Sequence, residues 1–148
     1  MLAAALERLR AEGVKVIDAA PVLLTDAVGP SLRRYANSAA VIETKLDPPA
    51  LLTLLKRIEH AFGRRPGGCR WSSRVLDLDV ILWSGGPYGE PGLIIPHPLF
   101  RIRDFVLAPA AAIVPGWRDP ITGLTVRQLH ARLTRRRRVR RAPEWSGP

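Results

Sequence analysis

Apolar positions recur along the chain at spacings that mark a short series of helices and strands. Leu2, Leu6 and Leu9 fall at helical intervals around Ala3, Ala4 and Ala5, and Gly13 supplies a stop. Residues 14–24 are rich in valine, leucine and isoleucine and read as extended chain, interrupted or edge-like at Pro21. Residues 25–34, with Gly29-Pro30-Ser31, read as a loop, and residues 35–44 as the next strand. The strongest helical pattern follows. Asp47 suits an N-cap, Pro48 the first helical position and Gly63 the C-terminal stop. Between them Leu51, Leu54, Leu55, Ile58 and Phe62 share one face, and Lys56, Arg57, Glu59 and His60 are expected to point toward solvent.

A basic, glycine-containing loop over 64–73 leads into residues 75–83, which alternate as a strand should. Leu76, Leu78, Val80 and Leu82 would line one face, with Asp77 and Asp79 on the other. Residues 84–92 read as a turn-rich connection and 93–96 as a short extended piece. Helices are expected over 105–113 and 125–133, separated by Pro115, Pro120 and Gly123. The order helix, strand, strand, helix, strand predicts an α+β layer, with helices packed on a mainly antiparallel sheet.

Composition narrows the class. A chain of 148 residues suits one domain, and an apolar fraction of 47% is enough to build a core. No apolar run reaches the roughly 20 residues of a membrane span. Cys69 is the only cysteine, which excludes an intrachain disulfide and favours a reducing, cytoplasmic setting. The net charge of +10 points first to nucleic acid, but six of those charges lie in the run at 135–141. The expected division is therefore a folded domain over 1–134 and a basic, disordered tail over 135–148. Non-specific RNA binding by that tail is the only nucleic-acid role the charge distribution admits.

The chemistry gathers around one segment. Alternate positions on a strand aim the Asp77 and Asp79 carboxylates the same way, about 7 Å apart. Such a pair calls for a compensating cation, and hard oxygen ligands suit Mg²⁺, which takes its remaining ligands from water and phosphate. Arg64, Arg70 and Arg74 lie just upstream, and guanidinium forks match phosphate oxygens. Trp71 stands between the last two and offers an indole face to a heteroaromatic substrate. No Gly-x-x-x-x-Gly-Lys-Ser/Thr run is present, so a P-loop is excluded.

The run from Arg70 through Trp71, Arg74, Asp77 and Asp79 to Leu82, with Ile95-Pro96-His97-Pro98 and the stretch from Arg103 through Phe105 to Pro109, resembles the 6-hydroxymethyl-7,8-dihydropterin pyrophosphokinase family. The resemblance implies a ferredoxin-like fold and transfer of diphosphate from ATP to a reduced pterin in folate biosynthesis, and a monomer acting in the cytoplasm is expected. It implies that Asp77 and Asp79 hold two magnesium ions and that Arg64 and Arg74 act on the transferring phosphates. Arg70, Arg74, His97 and Arg103 would contact ATP. Trp71 and Phe105 would sandwich the pterin, Asn37 would bond its edge, and Thr25, Val28 and Tyr35 would shape the pocket wall. The family pattern also places a hydrophobic strand and Gly-Ser-Asn ahead of the first helix. The chain starts inside that helix, so this N-terminal strand is missing and is expected to be encoded upstream of Met1. Two other readings follow from the same residues: a non-catalytic ferredoxin-like module that binds RNA through the tail, and an inactive relative that retains pterin binding.

Overall fold

The computed structural model describes residues 1–26, 34–63 and 76–140. Helix α1 spans Leu2–Ala11 and buries Ala5 and Leu9. Its end is a Schellman closure: Gly13 N–H bonds to the Arg10 carbonyl and Val14 N–H to that of Leu9, both at 3.0 Å. Gly13 sits at φ 86°, a left-handed conformation that favours glycine. Val14 then packs into the same cluster as Leu9, so the cap also delivers the chain into the core.

Two strands follow in place of one. Strand β1, Lys15–Ala19, pairs antiparallel with β4, Ala40–Glu43, and strand β2, Leu23–Asp26, pairs antiparallel with β3, Arg34–Asn37. The single strands expected over 14–24 and 35–44 are thus each divided, and the loop expected from 25 already belongs to β2 through Asp26. Pro21 is the cause: it has no N–H to give to a ladder. On the facing side Ser38 Oγ donates to the Ala20 carbonyl at 2.8 Å, and Ala20 N–H donates to the Ala39 carbonyl at 2.8 Å. The two ladders are therefore joined across the break rather than separated by it.

Helix α2, Pro48–Gly63, is the expected one, with Asp47 Oδ1 accepting the Ala50 N–H at 2.9 Å. Leu51, Leu54, Leu55 and Ile58 meet Ala5, Leu9, Val14 and Leu76 in one core cluster. Residues 76–83 depart from expectation. Leu76 is buried, Leu78 and Val80 are half-buried, and Asp77 and Asp79 are exposed, so the alternation holds. Yet no strand forms there. Its backbone groups are engaged elsewhere, Leu78 N–H with a side chain of α2 and the Ile81 carbonyl with His97 N–H, and no described strand pairs with it.

The connection after it holds a hairpin that the turn signals concealed. Strands β5, Tyr88–Glu90, and β6, Leu93–Ile95, pair antiparallel around Pro91-Gly92, with Gly92 at φ 85°. A 3₁₀ turn, Phe100–Ile102, leads into α3, Asp104–Ile113, and α4 covers Val126–Arg140. Phe100, Leu107, Ala110, Val126 and Leu129 form a second core. Thr125 and Gln128 cap α4 reciprocally, each side chain taking the other's backbone N–H, at 3.1 and 2.9 Å. The helix continues well past 133, so residues 135–140 of the tail expected over 135–148 are helical, while 141–148 lie outside the described residues. Leu133 packs on the second core and arginine is itself a good helix former, which together carry the last turns outward. The fold is α+β, and among the described residues the pairing is antiparallel and divided among three two-stranded ladders.

Asp119 is the one fully buried charged residue among those described. Hydrogen bonds from Arg101, Thr122 and the Ile121 N–H hold its carboxyl at about 2, well below the usual range. A depressed folded-state value means the stabilisation is complete at neutral pH and is lost as pH falls through it. Wild type is expected to lose on the order of 2 kcal/mol from this group between about pH 4 and pH 2, a loss absent from Asp119→Asn. Urea unfolding followed by circular dichroism across that window checks it.

Candidate active site

Three parts of the chain supply the described site residues. The first is the β2–β3 hairpin. Thr25 lies opposite Tyr35 and Leu23 opposite Asn37, which sets the Thr25 and Asn37 side chains diagonally across the ladder. Asn37 Nδ2 donates to Thr25 Oγ1 at 3.3 Å, and Thr25 Oγ1 donates to the Tyr35 carbonyl at 3.5 Å. Asn37 is half-buried and Tyr35 is exposed. This leaves the Asn37 amide with its carbonyl oxygen and a second N–H to offer a ligand edge.

The second part is the 76–82 segment. Leu76 anchors it in the core, and Glu59 fixes it from α2: Glu59 Oε1 accepts the Leu78 N–H at 2.7 Å, while Lys56 Nζ holds Oε2 at 3.3 Å. The bonded N–H lies between Asp77 and Asp79, so one carboxylate of α2 orients the backbone that carries the acidic pair. Glu59 was expected among solvent-facing residues of α2. Its side chain is only 15% exposed, because the segment crosses over it. Helical periodicity assigns a face but cannot show what chain later covers it. Among the described residues, no group of three or more His, Cys, Asp or Glu side chains forms a metal cluster. Glu59→Ala is expected to cost about 1–3 kcal/mol by leaving the part-buried Leu78 N–H without its acceptor, measurable by urea denaturation.

The third part runs from His97 to Phe105. His97 N–H donates to the Ile81 carbonyl at 3.1 Å, which joins this stretch to the acidic segment two residues beyond Asp79. The His97 ring accepts the Leu99 N–H on Nδ1 at 3.2 Å, so the neutral ring carries its proton on Nε2, ready to donate. The Arg103 guanidinium lies 5.6 Å from the centroid of the Phe105 ring. Phe105 is 39% exposed, where an aromatic in an apolar helix would ordinarily face the core. Helix α3 rests against β2, β3 and β4. Thr25 and Asn37 thus meet on one face of the hairpin, Asp77 and Asp79 share the exposed side of a segment tied to His97 through Ile81, and Arg103 lies by Phe105. Val28, Arg64, Arg70, Trp71 and Arg74 lie outside the described residues.

An exposed carboxylate pair suits a hard cation, while a histidine Nε2–H, an arginine and an exposed aromatic ring are groups that can meet phosphate oxygens and a flat ring. The family model of 7,8-dihydro-6-hydroxymethylpterin-pyrophosphokinase (HPPK) matches residues 1–115, and the chain belongs to that family. Among its relatives, a Synechocystis 2-amino-4-hydroxy-6-hydroxymethyldihydropteridine pyrophosphokinase is 42% identical over 103 residues, 70% of this chain and 52% of that protein. The protein of the same name from Methylorubrum extorquens is 38% identical over 135 residues, 90% of this chain and 84% of its own length. That from Pseudomonas aeruginosa is 36% identical over 107 residues, 72% of this chain and 65% of its own. The matched part therefore spans about half of the first of these proteins and most of the second.

Proposed function

We propose that this chain transfers the terminal diphosphate of ATP to the hydroxymethyl group of 6-hydroxymethyl-7,8-dihydropterin, releasing AMP. The pterin hydroxyl oxygen bonds to the β-phosphorus, the bond from that phosphorus to the α,β-bridging oxygen breaks, and AMP leaves with the electron pair while the hydroxyl proton is lost to solvent. The observation that carries this reading is the exposed Asp77–Asp79 pair on a backbone held by Glu59 and His97, inside the stretch that matches the family.

Two exposed carboxylates on one segment fit magnesium, which needs only one or two protein carboxylates beside water and phosphate. Asp77 and Asp79 would hold two such ions, whose charge, when bound, screens the polyphosphate. His97 Nε2–H and Arg103 would take ATP oxygens, joined by Arg70 and Arg74. Arg64 and Arg74 would meet charge developing on the transferring group. Phe105 and Trp71 would stack on the two pterin faces, with Asn37 reading its edge and Thr25, Val28 and Tyr35 closing the wall. The protein would act as a cytoplasmic monomer, and no described helix is long and apolar enough to cross a membrane.

The test is AMP formation by the full chain supplied with ATP, Mg²⁺ and the reduced pterin, resolved by chromatography. Pterin-dependent AMP that disappears with EDTA is expected. No AMP, together with steeply salt-dependent RNA retention lost on deleting 135–141, would replace this reading with an RNA-binding module. Pterin binding without AMP would replace it with an inactive relative.

A further inference from the structure

Resting on that reading, we infer that the Arg101–Asp119 pair is a positioning device that aims Arg103 and His97 at ATP and Phe105 at the pterin. Asp119 is completely buried and accepts four hydrogen bonds. Arg101 forks onto it, Nε to Oδ2 at 2.5 Å and Nη2 to Oδ1 at 2.8 Å; Thr122 Oγ1 donates at 2.7 Å and Ile121 N–H at 3.0 Å. The loop that presents it is closed on itself, with Asp119 N–H donating to the Leu124 carbonyl and Gly123 N–H to the Asp119 carbonyl, both at 2.8 Å. That loop is in turn tied to the first turn of α4, because Val126 N–H bonds to the Trp117 carbonyl at 2.8 Å.

Arg101 belongs to the 3₁₀ turn Phe100–Ile102, between His97 and Arg103. Phe100 is buried beneath it, and the Arg101 guanidinium lies 4.8 Å from that ring's centroid. On the far side of Arg103, Asp104 Oδ1 meets His130 Nε2 of α4 at 3.3 Å. The residues two before and one after Arg103 are thus both held by the part of the chain beyond residue 115, where the family match ends. Arg103 itself remains outside these anchors, over the Phe105 ring. Stability alone does not explain the arrangement, because desolvation largely offsets the attraction in a buried ion pair, and an apolar pair could fill the space as well. A bidentate fork on a rigid loop adds a fixed rotation of the turn. Since both Arg101 donors named here are spent on Asp119, it has a role distinct from that of Arg103.

The experiment compares wild type, Asp119→Asn, Arg101→Lys and Leu129→Ala as full chains, at a temperature where circular dichroism shows each to be folded. Leu129→Ala opens a cavity in the same core without touching the pair, and so reports simple loosening. Asp119→Asn and Arg101→Lys are expected to raise the KM for ATP about tenfold with a smaller change in kcat, and Leu129→Ala to leave it within about twofold. Amide exchange at 99–107 should accelerate in the two pair variants while α2 stays at the wild-type rate. Unchanged exchange at 99–107 and unchanged KM in both variants would overturn the inference, as would an equal KM rise in Leu129→Ala. If Asp119→Asn does not fold, Arg101→Lys, which keeps the positive charge but not the fork, decides the matter. Failure of wild type to bind ATP or pterin would count against the proposed function instead, while the exchange data would still judge the pair.

Discussion

Asp77→Ala is expected to lower pterin-dependent AMP formation by about a thousandfold at saturating ATP and pterin, because on the proposed function it removes one of the two carboxylates that would hold the magnesium ions neutralising the transferring phosphates. The fold should tolerate the change. Asp77 is exposed, while its neighbours carry the packing: Leu76 is buried, and Leu78 is held through its N–H by Glu59. Pterin binding, followed by fluorescence titration without ATP, should stay within about twofold of wild type, since the proposed stacking and edge contacts are made by other residues. Asp79→Ala should behave similarly. Asp77→Glu should recover part of the activity with a higher magnesium requirement, as a longer carboxylate from the same backbone keeps the charge but shifts the oxygens. Normal turnover in Asp77→Ala would rule out the metal assignment.

What was legible beforehand divides along physical lines. Local signals were read correctly wherever one turn of chain decides the outcome: Asp47 caps α2, Gly13 closes α1, and the leucine face from Leu51 to Ile58 is buried. Pro21 announced an interruption, but its consequence depended on Ser38 and Ala39, between β3 and β4, which supply the bonds across the break. The alternation at 76–80 was legible as burial and not as pairing, since a strand also needs a neighbour, and periodicity says nothing of one. Glu59 and the Arg101–Asp119 pair were missed for a related reason. Their partners are 19 and 18 residues away, and a polar residue in an amphipathic pattern looks solvated until the chain folds over it. A weak signal did exist for Asp119: Asp-Pro-x-Thr-Gly places a carboxylate, a rigid bend and a hydroxyl where a loop can close around one acid. The exposed Phe105 shows the reverse case. Its helix is apolar enough to suggest a core position, and only the family pattern marked it as a ligand face.

Arg74→Ala should separate binding from chemistry. The proposed reaction builds charge on the phosphoryl oxygens between the β-phosphorus and the incoming pterin oxygen, and that charge is larger in the transition state than in bound ATP. A guanidinium placed to meet it is expected to contribute about 10³-fold or more to kcat, as arginines do in related phosphoryl transfers. On the proposed function, ground-state affinity would draw mainly on other contacts, His97 Nε2–H, Arg70 and Arg103 for ATP and Phe105 and Asn37 for the pterin, with Arg74 adding a smaller share. Dissociation constants for a non-hydrolysable ATP analogue and for the pterin should therefore rise by no more than about threefold. Arg74→Lys should restore only part of the rate, because an ammonium supplies the charge without the planar fork. Single-turnover mixing makes the distinction directly, since it reads the chemical step free of product release. A loss confined to KM would make Arg74 a ground-state ligand of ATP alone and would leave Arg64 as the arginine that meets the transition state.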